Sequence, residues 1–271
     1  MIITKKYTKA YTHAGVFHAD DVFSTALVQI LCPDIKVERV IKVPDDLDEE
    51  TIVYDIGGGK FDHHQTGSAI RPEELSYSNE PIPYAAFGLL WREFGHELVD
   101  DTGWASIDES LVYPIDSHDN GVDMTNSMSI VIKHMNPRWD SDETAQECFD
   151  NAVTFAKGIL EREIAYHNST ANAIEYINKS IVDGDPLLVM DRFVPWVEYA
   201  KEHGIKIGVY PSQRGGWCLQ SVDSALYPLP EEWPDNLPEG MTFAHKAHFL
   251  ASCTTVVDAM MYARQALERM V

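Results

Sequence analysis

The sequence predicts an α/β protein with an N-terminal, largely parallel sheet flanked by helices, a long helical connector and a smaller C-terminal α/β domain. Three observations support this fold class. Strand-like and helix-like segments alternate from the start of the chain, which is typical of a parallel α/β sheet. An apolar stripe at helical spacing then runs over about residues 141–177. Short strand-like segments return after it.

The N-terminal elements follow from periodicity and from residues that end helices. The predicted strands cover residues 7–13, 36–43 and 51–56. Apolar residues at helical spacing predict a helix after the first strand, and Cys32-Pro33-Asp34 ends it. A second helix covers Pro83–Phe94, with proline in its first turn and Gly95 at its end. A third runs from near Ser106 toward Asp116.

The C-terminal elements begin after a turn at Asp183–Pro186. The predicted strands cover residues 187–190, 206–210 and 217–222, and an amphipathic helix covers about residues 256–270. We therefore divide the chain into an N-terminal domain over residues 1–140, a helical connector over 141–182 and a C-terminal domain over 183–271.

Composition limits the classes of function. The chain carries 43 acidic and 21 basic residues, a formal charge of -22. This charge argues against binding to long duplex nucleic acid, but it allows a short or small anionic substrate. No run of eighteen apolar residues occurs, and the first six residues lack the apolar segment of a secretory signal. We therefore expect a soluble, cytoplasmic protein with no membrane partner.

The four cysteines, Cys32, Cys148, Cys218 and Cys253, form no Cys-x-x-Cys pair. This spacing indicates reduced core residues rather than a zinc ribbon or a redox dithiol.

The main functional signal is a set of histidines and aspartates that follow predicted strands. His13 ends the first strand and precedes His18 and Asp20, while Asp55 follows another strand and precedes Asp62-His63-His64. The carboxyl ends of parallel strands meet at one crevice, so these side chains are expected to share a site. Imidazole nitrogens and carboxylate oxygens together suit manganese, iron, cobalt, zinc or magnesium. The pattern predicts a two-metal site with Asp55 as the bridge.

Each of these residues also has an ordinary structural explanation. Asp20 and Asp21 begin a predicted helix, where acidic residues serve as caps. The combination of motifs is more specific than any single one of them. Within it, Asp62 is expected to orient His63 or His64 as a hydrogen-bond acceptor, the usual support for a metal-bound imidazole. His63 would then be a ligand, and His64 would contact the substrate anion.

Four blocks of sequence resemble the melanocyte-proliferating-gene-one (MYG-type) family, a branch of the DHH phosphoesterase superfamily. They are Thr12–Asp20, Val53–Gly58, Phe61–Gln65 and Ile115–Gly121, followed by weaker matches at Gly216–Val222 and Phe243–His245. The resemblance implies an N-terminal catalytic domain that holds two divalent metals, usually manganese, although magnesium, cobalt and zinc also fit. It implies that a smaller C-terminal domain closes over the substrate.

The resemblance also implies which residues act. The implied metal ligands are His13, His18, Asp20, Asp55, His63 and an aspartate of Asp116-Ser117-His118-Asp119. Asp116 is favoured because it ends a predicted helix, and Asp119 remains open because Asp119-Asn120-Gly121 also suits a simple turn. The implied catalytic residues are Asp55, Asp62, His63 and His64.

Members of this branch hydrolyse phosphodiesters or pyrophosphate, and eukaryotic members are associated with 3′-5′ exonuclease activity on RNA. The resemblance therefore implies a metal-dependent phosphoesterase that acts on RNA or short oligonucleotides through two-metal hydrolysis. A pyrophosphatase or other small-phosphate hydrolase is one alternative. A non-catalytic, metal-binding regulatory protein is another. No pattern sets the oligomeric state, and a homodimer stays open.

The C-terminal block departs from the family pattern. A glycine-rich phrase follows the Phe-x-His segment in the family, whereas this chain has Phe249-Leu-Ala-Ser-Cys253. Substrate contacts are therefore predicted from individual side chains, namely His64, Arg214, His245, Lys246 and His248. A hairpin turn at Arg214-Gly-Gly216 and packed strand histidines are the structural alternatives.

Overall fold

The structure is a computed structural model that describes residues 7–65, 69–77 and 81–270. The described residues up to Asn168 form one compact unit, unit 1, and those from Ser169 onward form a second, unit 2. Strands and helices occur in both units, which confirms the predicted α/β class.

Unit 1 contains a parallel sheet of three strands in the order β2-β1-β3. The strands are β1 (Lys9–His13), β2 (Lys36–Val40) and β3 (Thr51–Val53). Its shorter helices are α1 (Ala19–Leu31), α2 (Ala86–Phe94), α3 (Asp101–Ile107), α4 (Tyr113–Asp119) and α5 (Ser127–His134). Both outer strands run parallel to β1. All three carboxyl ends therefore lie at one edge of the sheet, and α1 begins just beyond it.

Helix α1 is the centre of the core of unit 1. All residues from Ala19 to Val28 are buried, although the segment includes two aspartates. Phe23 packs on Phe87 of α2 with 5.4 Å between ring centroids, and both are completely buried. A helix whose whole first half is buried holds its first-turn carboxylates in a fixed place.

The helix predicted from Ser106 toward Asp116 is interrupted. A π-helical segment, Asp108–Val112, separates α3 from α4. Pro114, in the first turn of α4, has no N–H to bond the carbonyl of Ser110, which explains why the regular α-helical ladder changes here. Helix α5 was not predicted; it begins where the side chain of Asn126 accepts a hydrogen bond from the Ser129 N–H.

The long helix α6 covers Ala145–Ser180, 36 residues. It contributes Phe149, Val153 and Leu160 to the core of unit 1 and Ala173 and Ile177 to a core of unit 2. The predicted connector is therefore one continuous helix whose two ends belong to different hydrophobic cores.

Unit 2 contains a five-stranded sheet in the order β4-β5-β6-β8-β7. The strands are β4 (Leu187–Val189), β5 (Ile207–Pro211), β6 (Trp217–Ser221), β7 (Met241–Ala244) and β8 (Leu250–Cys253), and the helices are α7 (Val197–Glu202) and α8 (Val256–Glu268). Strands β4 and β5 are parallel, and the other pairs are antiparallel. The sequence predicted β4, β5 and β6, whereas β7 and β8 were not assigned.

Arg214 lies in the hairpin turn between β5 and β6, and its contact with a substrate stays a prediction. Gly216 has a φ of +73°, and a Cβ there would lie 2.4 Å from the carbonyl oxygen of Cys253. Only glycine fits so close to the backbone of β8.

All four cysteines are free, and three of them are buried. Among the described residues, no helix is both long and apolar enough to span a membrane.

Candidate metal centre

The predicted site residues of unit 1 meet at the carboxyl edge of its sheet. His13 is the last residue of β1, and Asp20 and Asp21 lie in the first turn of α1. The Asp55 N–H, just after β3, donates a hydrogen bond to the Phe61 carbonyl at 2.9 Å. This bond places the segment that carries His63 beside Asp55.

Asp55 lies between two imidazoles. Its Oδ2 is 3.2 Å from His13 Nε2, and its Oδ1 is 3.2 Å from His63 Nε2. Burial opposes ionisation of this carboxyl, but hydrogen bonds from both histidines lower its pKa to about 2. Asp55 also has a φ of +56°, a conformation that non-glycine residues rarely adopt outside turns and functional sites. One oxygen of Asp55 thus faces His13 and the other faces His63, so a single carboxylate could belong to two ligand groups.

On one side of Asp55, ligating atoms of Asp20, His63 and Asp119 lie within 4.8 Å of one another. His63 Nε2 is 3.7 Å from Asp20 Oδ2 and 3.1 Å from Asp119 Oδ2. Burial, followed by the charges of Asp55 and Asp119, raises the pKa of Asp20 well above its ordinary value. Burial opposes the charged form of His63 as well, yet its bonds to Asp119 and Asp55 raise its pKa to about 11. The carboxylates of Asp20, Asp55 and Asp119 lie close together, and their combined negative charge favours binding of a cation.

On the other side, His13, Asp21 and Asp55 form a second such group. His13 Nε2 is 3.4 Å from Asp21 Oδ2. The predicted capping role of Asp21 is also present, since its Oδ1 accepts the His18 N–H at 2.7 Å. The position of Asp21 at the site could not be predicted from its sequence context, because a helix cap explains an aspartate there equally well. His18 lies further out, with its side chain 55% exposed and its Nδ1 3.9 Å from Asp119 Oδ1.

Asp20 does not cap its own helix. Its two oxygens accept the N–H groups of Ala86 and Phe87 at 3.0 and 2.7 Å, so it lies at the N-terminus of α2. The next amide, Gly88 N–H, donates to Asp116 Oδ1 at 3.1 Å. A Cβ on Gly88 would lie 1.9 Å from Asp116 Oδ2, so glycine is required there. The positive end of α2 thus stabilises two buried carboxylates.

The two candidate aspartates of the fourth block have different partners. The Asp116 carboxylate is buried and lies 2.8 Å from Arg71 Nη2, whose Nη1 is 2.6 Å from Asp108. Asp119 instead contacts His63. Asp116, the favoured residue in the sequence analysis, belongs to none of the three possible metal-binding groups found among the described residues, whereas Asp119 belongs to one.

Asp62 contacts His64 rather than His63. Its Oδ1 is 2.9 Å from His64 Nδ1, and its Oδ2 accepts the Gly58 N–H at 2.6 Å. The turn at residues 57–59 therefore fixes Asp62. The His64 side chain is 60% exposed, and Asp55, His63 and His64 form the third possible metal-binding group.

The donor set fits divalent metal ions. Asp21 Oδ2 is buried and has no hydrogen-bond partner in the described part of the chain. Buried carboxylate oxygens without donors are costly, and a cation would satisfy them. The mixture of imidazole and carboxylate suits manganese, zinc, cobalt or iron.

The remaining predicted substrate contacts belong to unit 2. Arg214 and Lys246 are exposed, and His245 and His248 are half-buried in the connection between β7 and β8. The histidines therefore lie outside the strands. His245 Nδ1 accepts the Ala247 N–H at 3.0 Å, and His248 has a φ of +55°. Their contact with a substrate stays a prediction.

The acidic centre predicts how stability depends on pH when a chelator is present. Burial raises the pKa of Asp21 to about 7 from an ordinary value of 3.8. The folded state then holds a proton that the unfolded state releases, so this contribution is full below pH 3.8 and is lost as the pH rises to about 7. We expect the free energy of unfolding, measured by urea denaturation, to fall over this window.

The variant Asp21→Asn should reduce that fall. Asp123→Asn, at an exposed position, is the matched control and should leave the slope unchanged. An equal slope in wild type and Asp21→Asn would contradict the assignment of this window to Asp21.

Comparisons with known proteins identify the family of this chain. The chain matches the family model MYG1_exonuc, described as "Uncharacterised protein family (UPF0160)", over residues 9–267. It is 24% identical to a "MYG1 protein" of Dictyostelium discoideum, covering 95% of this chain and 96% of the relative. It is 24% identical to the "MYG1 exonuclease" of Homo sapiens, covering 94% and 85%. A "MYG1 protein" of Chlamydia muridarum is 26% identical, covering 89% and 90%.

No solved structure matches the chain. The family match covers nearly the whole sequence and contains every residue of the candidate metal centre. The chain therefore belongs to the MYG1_exonuc family.

Proposed function

We propose that this protein is a divalent-metal-dependent phosphoesterase of the DHH type that acts as a 3′-5′ exonuclease on RNA or short oligonucleotides. The observation that carries the proposal is the Asp55 carboxylate, with one oxygen beside His13 and the other beside His63. The relatives named MYG1 exonuclease, from Homo sapiens and Mus musculus, support the same class of reaction.

Two groups of ligands would share Asp55. His13, Asp21 and Asp55, with His18 nearby, would hold one ion, and Asp20, Asp55, His63 and Asp119 would hold the other. The geometry favours Asp119 over Asp116 as a ligand because Asp116 is already paired with Arg71. Divalent ions bound there would make water acidic enough to attack near neutral pH and would stabilise charge on the phosphoryl oxygens.

The other side chains of the centre have separate proposed roles. Asp62 accepts a hydrogen bond from His64 Nδ1 in the tautomer that carries a proton there. This contact orients the exposed ring, and Nε2 can donate to a substrate phosphoryl oxygen when both ring nitrogens carry protons. The α2 N-terminus fixes the Asp20 carboxylate in place through two backbone amides.

A substrate panel at a fixed Mn²⁺ concentration tests this proposal. We expect the purified protein to release mononucleotides from the 3′ end of a short RNA and to lose the activity when EDTA is added. Long duplex DNA should be a poor substrate, because a chain of net charge -22 repels an extended phosphate backbone. Activity that persists in EDTA would exclude a metal-dependent mechanism.

Inorganic pyrophosphate belongs in the same panel. The strong acidity of the chain and the absence of the glycine-rich phrase at Phe249–Cys253 favour a small substrate as the second candidate. Faster turnover of pyrophosphate than of RNA would select the small-phosphate hydrolase. If the protein binds metal stoichiometrically but hydrolyses none of the phosphate compounds in the panel, the non-catalytic, metal-binding regulatory protein would be the better hypothesis.

A further inference from the structure

A cavity of about 200 Å³ adjoins the candidate metal centre within unit 1. It is lined by His18 and Asp119, which belong to the metal centre, and by His118, Ser129 and Lys133. The last three residues lie on α4 and α5 and are not among the proposed metal ligands.

Lys133 is an exposed cation in a chain with about twice as many acidic as basic residues. Within residues 7–65, 69–77 and 81–270, it forms no ion pair with any carboxylate. Because Lys133 lines the cavity and is not paired with a carboxylate, its ammonium group can bind an anion there.

Ser129 supplies a second, independent observation. It is only 4% exposed, and its Oγ has no hydrogen-bond partner among the described residues. A buried hydroxyl without a partner is costly, and a ligand oxygen would satisfy it. Ser129 and Lys133 are four residues apart on α5, so they lie on the same face of the helix.

His118 adds a third polar group. Its Nδ1 lies 3.1 Å from the Asp123 carbonyl oxygen, which can only accept a hydrogen bond. Nδ1 therefore carries a proton, and Nε2 can donate to an anion when both ring nitrogens are protonated. The first turn of α5, where Ser129 lies, also favours negative charge.

We propose that this cavity binds a second phosphoryl group of the substrate, next to the phosphoryl group at the metal centre. This inference rests on the proposed function and deepens it. An ammonium, a hydroxyl and a helix N-terminus are the donors that phosphate oxygens use in proteins. The second group would be the neighbouring phosphate of an oligonucleotide or the other half of pyrophosphate.

Binding of probes that cannot be cleaved tests the inference on the full chain with Mn²⁺. The probes are a methylenephosphonate dinucleotide, with and without a 5′-phosphate, and methylenediphosphonate. We expect wild type to bind the 5′-phosphorylated dinucleotide about tenfold more tightly than the unphosphorylated one. Lys133→Ala should reduce this preference to within about twofold, and Ser129→Ala should weaken it.

Lys36→Ala is the matched control. Lys36 is an exposed cation at the amino end of β2, the edge of the sheet opposite the metal centre, and its variant should keep the full preference. If Lys133→Ala loses affinity for methylenediphosphonate but binds both dinucleotides like wild type, the cavity binds a second phosphoryl group, and that group comes from pyrophosphate.

The inference is overturned if Lys133→Ala and Lys36→Ala bind every probe equally well. Failure of the proposed function would look different. In that case the wild-type protein would hydrolyse neither RNA nor pyrophosphate, while the dependence of binding on Lys133 would remain.

Discussion

Replacing Asp55 by asparagine is expected to abolish hydrolysis and to weaken binding of both metal ions. The Asp55 carboxylate lies 3.2 Å from both His13 and His63, so it would contribute to both proposed metal positions. Loss of an outer-shell partner typically costs about 10- to 100-fold in metal affinity, and loss of a bridging ligand should cost more. We expect kcat to fall at least about a thousandfold.

Asparagine is the suitable substitution because of the backbone. Asp55 has a φ of +56°, and asparagine tolerates this conformation as well as aspartate does. The fold should therefore persist, so circular dichroism should match that of wild type while calorimetry with Mn²⁺ reports the lost sites.

Two further variants sharpen this experiment. Asp119→Asn removes a carboxylate from one side of Asp55, so we expect one bound Mn²⁺ instead of two by elemental analysis. Asp123→Asn changes an exposed aspartate and should keep both ions and full activity. Two tightly bound ions in Asp55→Asn would rule out a bridging role.

Much of the fold could be predicted because its signals are local. Alternating and helical periodicities located β1, α1, β2, β3 and α2, and the helix stop at Cys32-Pro33 agrees with the observed end of α1 at Leu31. Helix α5 escaped prediction because it is short and begins at an asparagine cap within a polar stretch. Strands β7 and β8 escaped because Thr242 is the only β-branched residue among their eight residues.

The candidate site shows the same division between local and long-range information. Strand-terminal polar residues such as His13 and Asp55 could be predicted, because parallel strands bring their carboxyl ends together. The partners of buried carboxylates could not be. The residues next to Asp20 in sequence do not indicate that its carboxylate accepts hydrogen bonds from amides of α2, 66 and 67 positions away. Likewise, the sequence around Asp116 does not indicate its ion pair with Arg71.

Arg71 is a buried cation beside the candidate metal centre. Its guanidinium bonds to Asp108 at 2.6 Å and to Asp116 at 2.8 Å, and it lies 4.4 Å from the centroid of the Tyr84 ring. Asp108 belongs to the π-helical segment, and Asp116 belongs to α4, which ends at the proposed ligand Asp119. One side chain therefore ties together the two segments that position this ligand.

Arg71→Met is expected to lower the free energy of unfolding by about 3–5 kcal/mol, because it leaves two buried carboxylates without their cation. Urea denaturation measures the loss, and Arg138→Met, which removes an arginine with a side chain 67% exposed, should cost less than about 0.5 kcal/mol.

Arg71→Lys keeps the charge but not the fork that reaches both carboxylates, so its stability should be intermediate. If Arg71→Met unfolded at the urea concentration of wild type, the buried pair would not stabilise the fold. The expected loss would show that the ion pairs of Arg71 with Asp108 and Asp116 stabilise the packing of α4, the helix that ends at Asp119.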